Sequence, residues 1–174
     1  MNKLLTKNKS KELIMYNNVL SLSRNKLFYT KFYLADTFQN RIHLIFLHIS
    51  FIFIKVDQNK DKTVYKDFYQ KLFDLLFYKI ELNMRELGFG DTIVNKNMKF
   101  LVKAFYDILL FCKDFKRKKI EDKKTFFKHY LKLNINEKID NNDNIIRYFH
   151  AFETFCFDLS SDSVLKGEIK FKFD

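Results

Sequence analysis

The sequence predicts an all-α protein, a compact single-domain bundle of about six or seven helices. Three observations carry that expectation. Apolar residues recur every three or four positions in each long segment, and no segment alternates cleanly over strand length. The chain contains no proline and 3 glycines in 174 residues, so it rarely uses the residues that permit unusual backbone angles. Hydrophobic residues make up 47%, with 22 Phe and 9 Tyr, enough to bury a sizeable core in one domain.

The elements follow in order. Residues 1–11 read as a basic flexible tail, with a single helical domain over 12–174. Leu13, Tyr16, Val19 and Leu20 give the first helix, Glu12 to Leu22. Leu27 to Leu34 is aromatic-rich and suits a short second helix. Asp36 or Thr37 can cap a third, running to about Val56. Its apolar residues cover nearly its whole circumference, which predicts a central position. Its core, Ile42 to Ile54, holds His43, His48 and Ser50 and is flanked by Arg41 and Lys55. Spanning a bilayer takes about 20 apolar residues, so a buried core helix is expected rather than a membrane span. Asp57 to Lys62 reads as a linker and Thr63 to Leu87 as the clearest helix. Asn95 can cap the next, with Met98, Leu101, Val102, Phe105, Leu109 and Cys112 along its seam. Lys116 to Lys124 reads as a charged joint, Thr125 to Leu133 as a short helix and Asn134 to Asn144 as a polar loop. Ile145, Phe149, Phe152, Cys156 and Leu159 give the final helix.

The segment Met84-Arg85-Glu86-Leu87-Gly88-Phe89-Gly90-Asp91-Thr92 holds two of the three glycines. Gly88 suits the left-handed residue that closes a helix. Gly90 loosens the next step, and Asp91 can accept backbone N–H bonds where the chain sets off again. Arg85, Glu86 and Asp91 would form a fixed polar cluster at this corner.

No catalytic constellation is visible. Gly88-Phe89-Gly90 follows a helix and lacks the remaining residues of a phosphate-binding loop. His43 and His48 lie about 140° apart round a helix and do not share a metal. His129 and His150 have no acidic or thiol partner at ligand spacing. Cys112 and Cys156 lack CxxC spacing and fall on apolar stripes, as small core residues do. The sequence therefore points away from an enzyme and implies no cofactor. Between Met1 and Glu12 there is no apolar stretch of a secretory signal. Together with free cysteines this predicts a reducing, cytoplasmic-side compartment.

Lys and Arg exceed Asp and Glu by 32 to 21, a formal charge of +11. Such a balance suits RNA, a ribosome surface or acidic lipid headgroups, although AT-rich codons for Lys, Asn, Ile and Phe would produce it without a partner. The densest run includes Lys116, Arg117, Lys118, Lys119, Lys123 and Lys124. It reads either as a solvated face or as an anion- or ribosome-binding surface.

The glycine corner has a counterpart. Leu82-Asn83-Met84-Arg85-Glu86-Leu87-Gly88-Phe89-Gly90-Asp91, followed by Lys96, Lys99 and Ala104-Phe105-Tyr106, resembles the ubiquinol–cytochrome c chaperone family, which carries a segment close to N-L-R-E-M-G-V-G-D. Tyr33-Leu34-Ala35-Asp36-Thr37-Phe38-Gln39-Asn40-Arg41, continuing to Leu47-His48, is similar to that family's G-V-P-D-T-x-x-G-R-F stretch. Val164-Leu165-Lys166-Gly167-Glu168-Ile169-Lys170-Phe171 is similar to its L-L-x-G-x-x-x-F close. The blocks keep the family's order from about Lys26 to Phe171. Leu34-Ala35 replaces Val-Pro and Asn40 replaces Gly, both losses of turn-formers just where Asp36 must be placed.

The resemblance implies a non-catalytic chaperone that binds newly made cytochrome b during assembly of the cytochrome bc complex. A ribosome, a second assembly factor or an anionic membrane surface would be further partners, and the place implied is the bacterial cytoplasm, with attachment to the inner membrane face allowed, or the matrix side of a mitochondrion. The resemblance places partner binding at Arg85, Glu86, Asp91, Lys96 and Lys99, with Gly88 and Gly90 shaping the corner; Arg41 and His48 match as well, either as partner contacts or only for the packing of the third helix. The rival from another class is a basic helical RNA-binding protein using Lys113 to Lys132. Salt-dependent binding to arbitrary RNA would favour it.

Overall fold

Helix α3, Phe38–Asp57, has no solvent face over most of its length: from Ile42 to Ile54 every residue is buried. A helix apolar all round must be wrapped by others. In the computed structural model, which describes residues 10–57, 62–134 and 142–173, it is. The remaining helices are α1 (Lys11–Ser23), α2 (Leu27–Thr30), α4 (Lys62–Glu86), α5 (Asp91–Cys112), α6 (Ile120–Tyr130), α7 (Asn142–Asp158) and α8 (Ser161–Leu165), with a 3₁₀ turn at Phe115–Arg117. Helices α1, α4, α5, α7 and α8 pack directly on α3, α1 also packs on α4, and α6 leans on α7. Six long helices and two short ones make the expected all-α bundle, with no strand among the described residues.

Phenylalanine rings, mixed with isoleucine and leucine, run through the core on both sides of α3. On one side of α3, Phe46 meets Phe77 of α4, and Phe46 and Phe53 both meet Phe105 of α5, which Phe73 and Phe77 also contact, mostly edge to face. On the other, Phe51 and His48 meet Phe149 and Phe152 of α7. Edge-to-face and offset rings contribute about 0.5–1.5 kcal/mol per pair beyond area burial, so α3 is held from both sides.

Burying a polar group is costly unless it is paired; on α3 the buried His48, His43 and Asn40 all find partners, whereas the Ser50 hydroxyl is buried without one among the described residues. His48 is fully buried; its Nδ1–H donates to the Leu44 carbonyl at 2.6 Å, so Nε2 accepts from the Tyr148 hydroxyl at 2.8 Å. His43 has the same tautomer, donating to the Tyr130 carbonyl and accepting from the Gln39 amide. Asn40, 0% exposed, donates to the Ala35 and Lys132 carbonyls at 2.7 and 2.8 Å and accepts from the Lys132 N–H at 2.9 Å. It clips the start of α3 to the segment after α6, where Leu34 and Leu133 form an isolated antiparallel bridge. The Asn at this position thus supplies by side-chain bonds the anchoring that the missing turn-formers left in question. Tyr33, at φ 54, makes the sharp step before it.

Several boundaries differ from expectation. The tail ends sooner, since Ser10 caps α1 and Lys11 is already helical. The cap of α3 agrees with expectation: of the two candidates it is Thr37 that accepts from the Asn40 N–H, at 3.2 Å. Helix α5 begins at Asp91, so Asn95 lies within it rather than capping it. Helix α6 begins at Ile120, inside the expected charged joint, and ends at Tyr130. Helix α7 starts at Asn142 and is followed by α8. The expected linker and polar loop fall mainly on 58–61 and 135–141, outside the described residues, as do 1–9 of the tail.

The chain after α8 closes the bundle. Phe171 and Phe173 pack on Tyr148 at ring separations of 5.4 and 5.1 Å. Asn18 of α1 donates to the Gly167 carbonyl at 2.6 Å.

Candidate functional site

The glycine corner is a Schellman closure. The Phe89 N–H donates to the Met84 carbonyl at 3.1 Å and the Gly88 N–H to the Arg85 carbonyl at 2.9 Å, with Gly88 at φ 86. Gly90 has φ -70 and open space around a notional Cβ, so its backbone does not require glycine. The polar cluster also differs from expectation. Arg85 bridges Glu81, at 2.9 Å, and the Asp91 carboxylate, across the corner; Glu86 takes no part. Asp91 spends its carboxylate on that bridge rather than on capping α5. Arg85 is thereby occupied by two carboxylates, which hold its guanidinium charged.

Glu86 faces elsewhere. It lines a cleft of about 370 Å³ between α1, α3 and the end of α4. Ile42, Ile45, Ile80 and Tyr16 form a buried apolar floor. Arg24, Asp36, Arg41, Asn83 and Glu86 supply a polar rim, interrupted by Phe38, 36% exposed, and Leu87, 62% exposed. Arg41 makes a two-pronged pair with Asp36, at 2.6 and 2.8 Å, and that hydrogen bonding holds the Asp36 carboxyl below its usual range. The cleft is thus where the Asp36–Arg41 block and the Asn83–Leu87 block meet, 42 or more residues apart in sequence. The sequence carried one clue to it: Phe38 and Leu87 interrupt polar stretches of both blocks, as rim anchors do. Arg24 and Leu20, outside every block, had no such signal. A second cleft, lined by Phe53, Ile54, Asp57, Tyr69, Leu109 and Lys113, gathers none of the three blocks.

The other expected residues scatter. Lys96 and Lys99 project from the solvent side of α5. His48 lies in the core, and burial pushes its pKa down to about 4, so it is a neutral packing residue rather than a partner contact. The Lys116–Lys124 run does not form a free basic row. Lys123 is buried, its ammonium 2.9 Å from His150 Nε2 and over the Phe115 ring. Lys118 lies over Phe111, and Lys124 pairs with Asp143 at 3.1 Å. Lys116, Arg117 and Lys119 remain exposed. The third block is bound into the fold as well, since a Cβ on Gly167, at φ 73, would sit 2.8 Å from the Met15 backbone nitrogen. Both cysteines are buried, and no group of three or more His, Cys, Asp and Glu among the described residues is placed to hold a metal.

The order of the blocks agrees with a wider comparison. The family model described as ubiquinol–cytochrome C chaperone matches residues 30–171. The chain belongs to the ubiquinol–cytochrome c chaperone family. Among solved structures it resembles the crystal structure of the Cbp3 homolog from Brucella abortus, with a TM-score of 0.78 at 20% identity, over 94% of this chain and 89% of that one. At that identity the likeness establishes the shared fold. No curated protein matches significantly. A ubiquinol–cytochrome c chaperone is a non-catalytic assembly factor with a protein partner in building the cytochrome bc complex. Among the described residues, no helix of this family member is long and apolar enough to cross a membrane.

Proposed function

We propose that the protein holds newly made cytochrome b in the cleft between α1, α3 and the end of α4 until the cytochrome bc complex assembles. The observation that supports this is the convergence of two motif blocks on one cleft with an apolar floor and a charged rim. Unassembled cytochrome b is a set of apolar helices with polar haem-site groups that are costly in lipid. A preformed apolar cleft accepts one such helical or extended segment, while the rim orients it by its polar flanks. Binding the unassembled form alone raises its lifetime by mass action and needs no bond chemistry. The ribosome and a second assembly factor remain partners of this reading, tested by their recovery with the tagged protein.

Pulse-labelling tests both client and cleft. Deleting the protein shortens the half-life of cytochrome b; an unchanged half-life would remove cytochrome b as client. Glu86→Lys combined with Leu87→Glu alters two exposed rim positions and leaves the fold intact by circular dichroism. It shortens the half-life as deletion does. Wild-type half-life in that variant, with an effect on deletion, would move the client to another surface.

A further inference from the structure

We propose that the outward face of α5, with the corner leading into it, is a docking surface for a bilayer bearing anionic headgroups. A helix packed in a bundle normally turns polar residues to solvent. On α5, Ile93, Phe100 and Leu110 are 52%, 63% and 68% exposed, and Phe89, at the corner before it, is exposed as well. Lysines 96, 99 and 103 stand between them, all exposed or half-buried at the helix surface. At 100° per residue, positions 93, 96, 100, 103 and 110 fall within about 100° of arc and run about 26 Å along the axis. The opposite side of α5 carries Leu101, Phe105 and Ile108 into the core, so the face is preformed and rigid.

The composition selects the occupant. Protein interfaces deplete lysine at their centre, because each ammonium must be desolvated or paired there. At a bilayer both residue types are satisfied together. Apolar side chains enter the boundary between headgroups and acyl chains, while lysine stems lie along it and their ammonium groups reach the phosphates. RNA would use the lysines but leave Ile93 and Leu110 without a partner, since aliphatic chains do not stack on bases as rings do. The stripe's single carboxylate is Asp107, and neighbouring Asp91 is engaged by Arg85, so the face keeps its positive sign. The surface is distinct from the client cleft, and it would hold the chaperone beside the membrane into which its client inserts.

The chain has no tryptophan, so a single introduced indole reports contact. Phe100→Trp emission shifts to shorter wavelength on phosphatidylcholine vesicles containing phosphatidylserine and is quenched by brominated acyl chains. The control Ile120→Trp, at the start of α6, does neither. Lys96→Glu/Lys99→Glu/Lys103→Glu lowers partitioning by about a hundredfold or more, at about fivefold per lysine. Lys116→Glu/Arg117→Glu/Lys119→Glu, with the same charge change elsewhere, lowers it far less. Phe100→Ser/Leu110→Ser, which leaves charge untouched, also weakens binding. An indole at 100 that stays in water on anionic vesicles, equal losses from the two charge variants, or binding to polyuridine RNA that ignores Phe100→Ser/Leu110→Ser while vesicles are not bound would each overturn the proposal.

Discussion

Three glycines in one chain do three different things, and the differences are measurable. Gly88 holds a left-handed conformation in open space, so Gly88→Ala costs about 1–2 kcal/mol of strain and Gly88→Asn less. Gly167 combines that strain with a clash against the α1 backbone, so Gly167→Ala costs about 2–5 kcal/mol. Gly90→Ala costs about 1 kcal/mol or less, because neither conformation nor space demands glycine there and only the preference for glycine over alanine at an N-cap remains. Urea denaturation ranks the three; a Gly90 cost as large as that of Gly167 would contradict the geometry. Asn40 gives a sharper test. Asn40→Ala removes three buried hydrogen bonds and should cost about 2–4 kcal/mol. Asn40→Asp should be worse at neutral pH, since a carboxylate would face the two carbonyls that the amide nitrogen now serves. Gly88 was legible from its place after a helical run, whereas Gly167 and Asn40 were not: their partners, Met15 and Lys132, are brought to them only by folding.

At the scale of elements, periodicity found every long helix, because each buries an apolar stripe against its neighbours. The ends were harder to read. Asn95 is a good cap by residue type, but the Schellman turn at Gly88 reverses the chain quickly enough for α5 to begin at Asp91. The corner's ion pairs are surface pairs and contribute little. Arg85→Ala should therefore leave the thermal midpoint almost unchanged, and a large fall would show that the bridge, not the glycine, sets the corner. The basic run shows the limit of charge patterning. Lys123 faces inward because Phe127, one turn on, must reach the core; burial lowers its pKa and raises that of nearby Glu153.

At the scale of the molecule, acid should loosen the bundle through α3. Burial depresses His43 and takes His48 to about 4, below the ordinary 6.5. Unfolded histidines bind protons first, so the stability fully present above pH 6.5 falls as pH drops through 6.5 towards 4. The raised Glu153 carboxyl works in the opposite sense above its ordinary 4.5 and is the smaller influence beside a fully buried imidazole. His48→Leu/Tyr148→Phe replaces both hydrogen-bond partners with apolar groups. It should stay within about 1 kcal/mol of wild type at neutral pH and flatten the acid slope. A slope unchanged in that variant would clear His48 of the effect. Amide exchange should be slowest in α3, against which α1, α4, α5 and α7 all pack.

The sequence by itself determined the all-α class, the central place of α3, the Gly88 turn and the family, because each rests on local periodicity or on the order of short blocks. Only the tertiary structure decided that Arg85 and Glu86, adjacent in sequence, serve different surfaces. It also sent Lys123 inward, and made Asn40 and Gly167 the fixed points of the fold. Successive helical residues point about 100° apart, so which of them meets a partner depends on where the neighbouring helices stand.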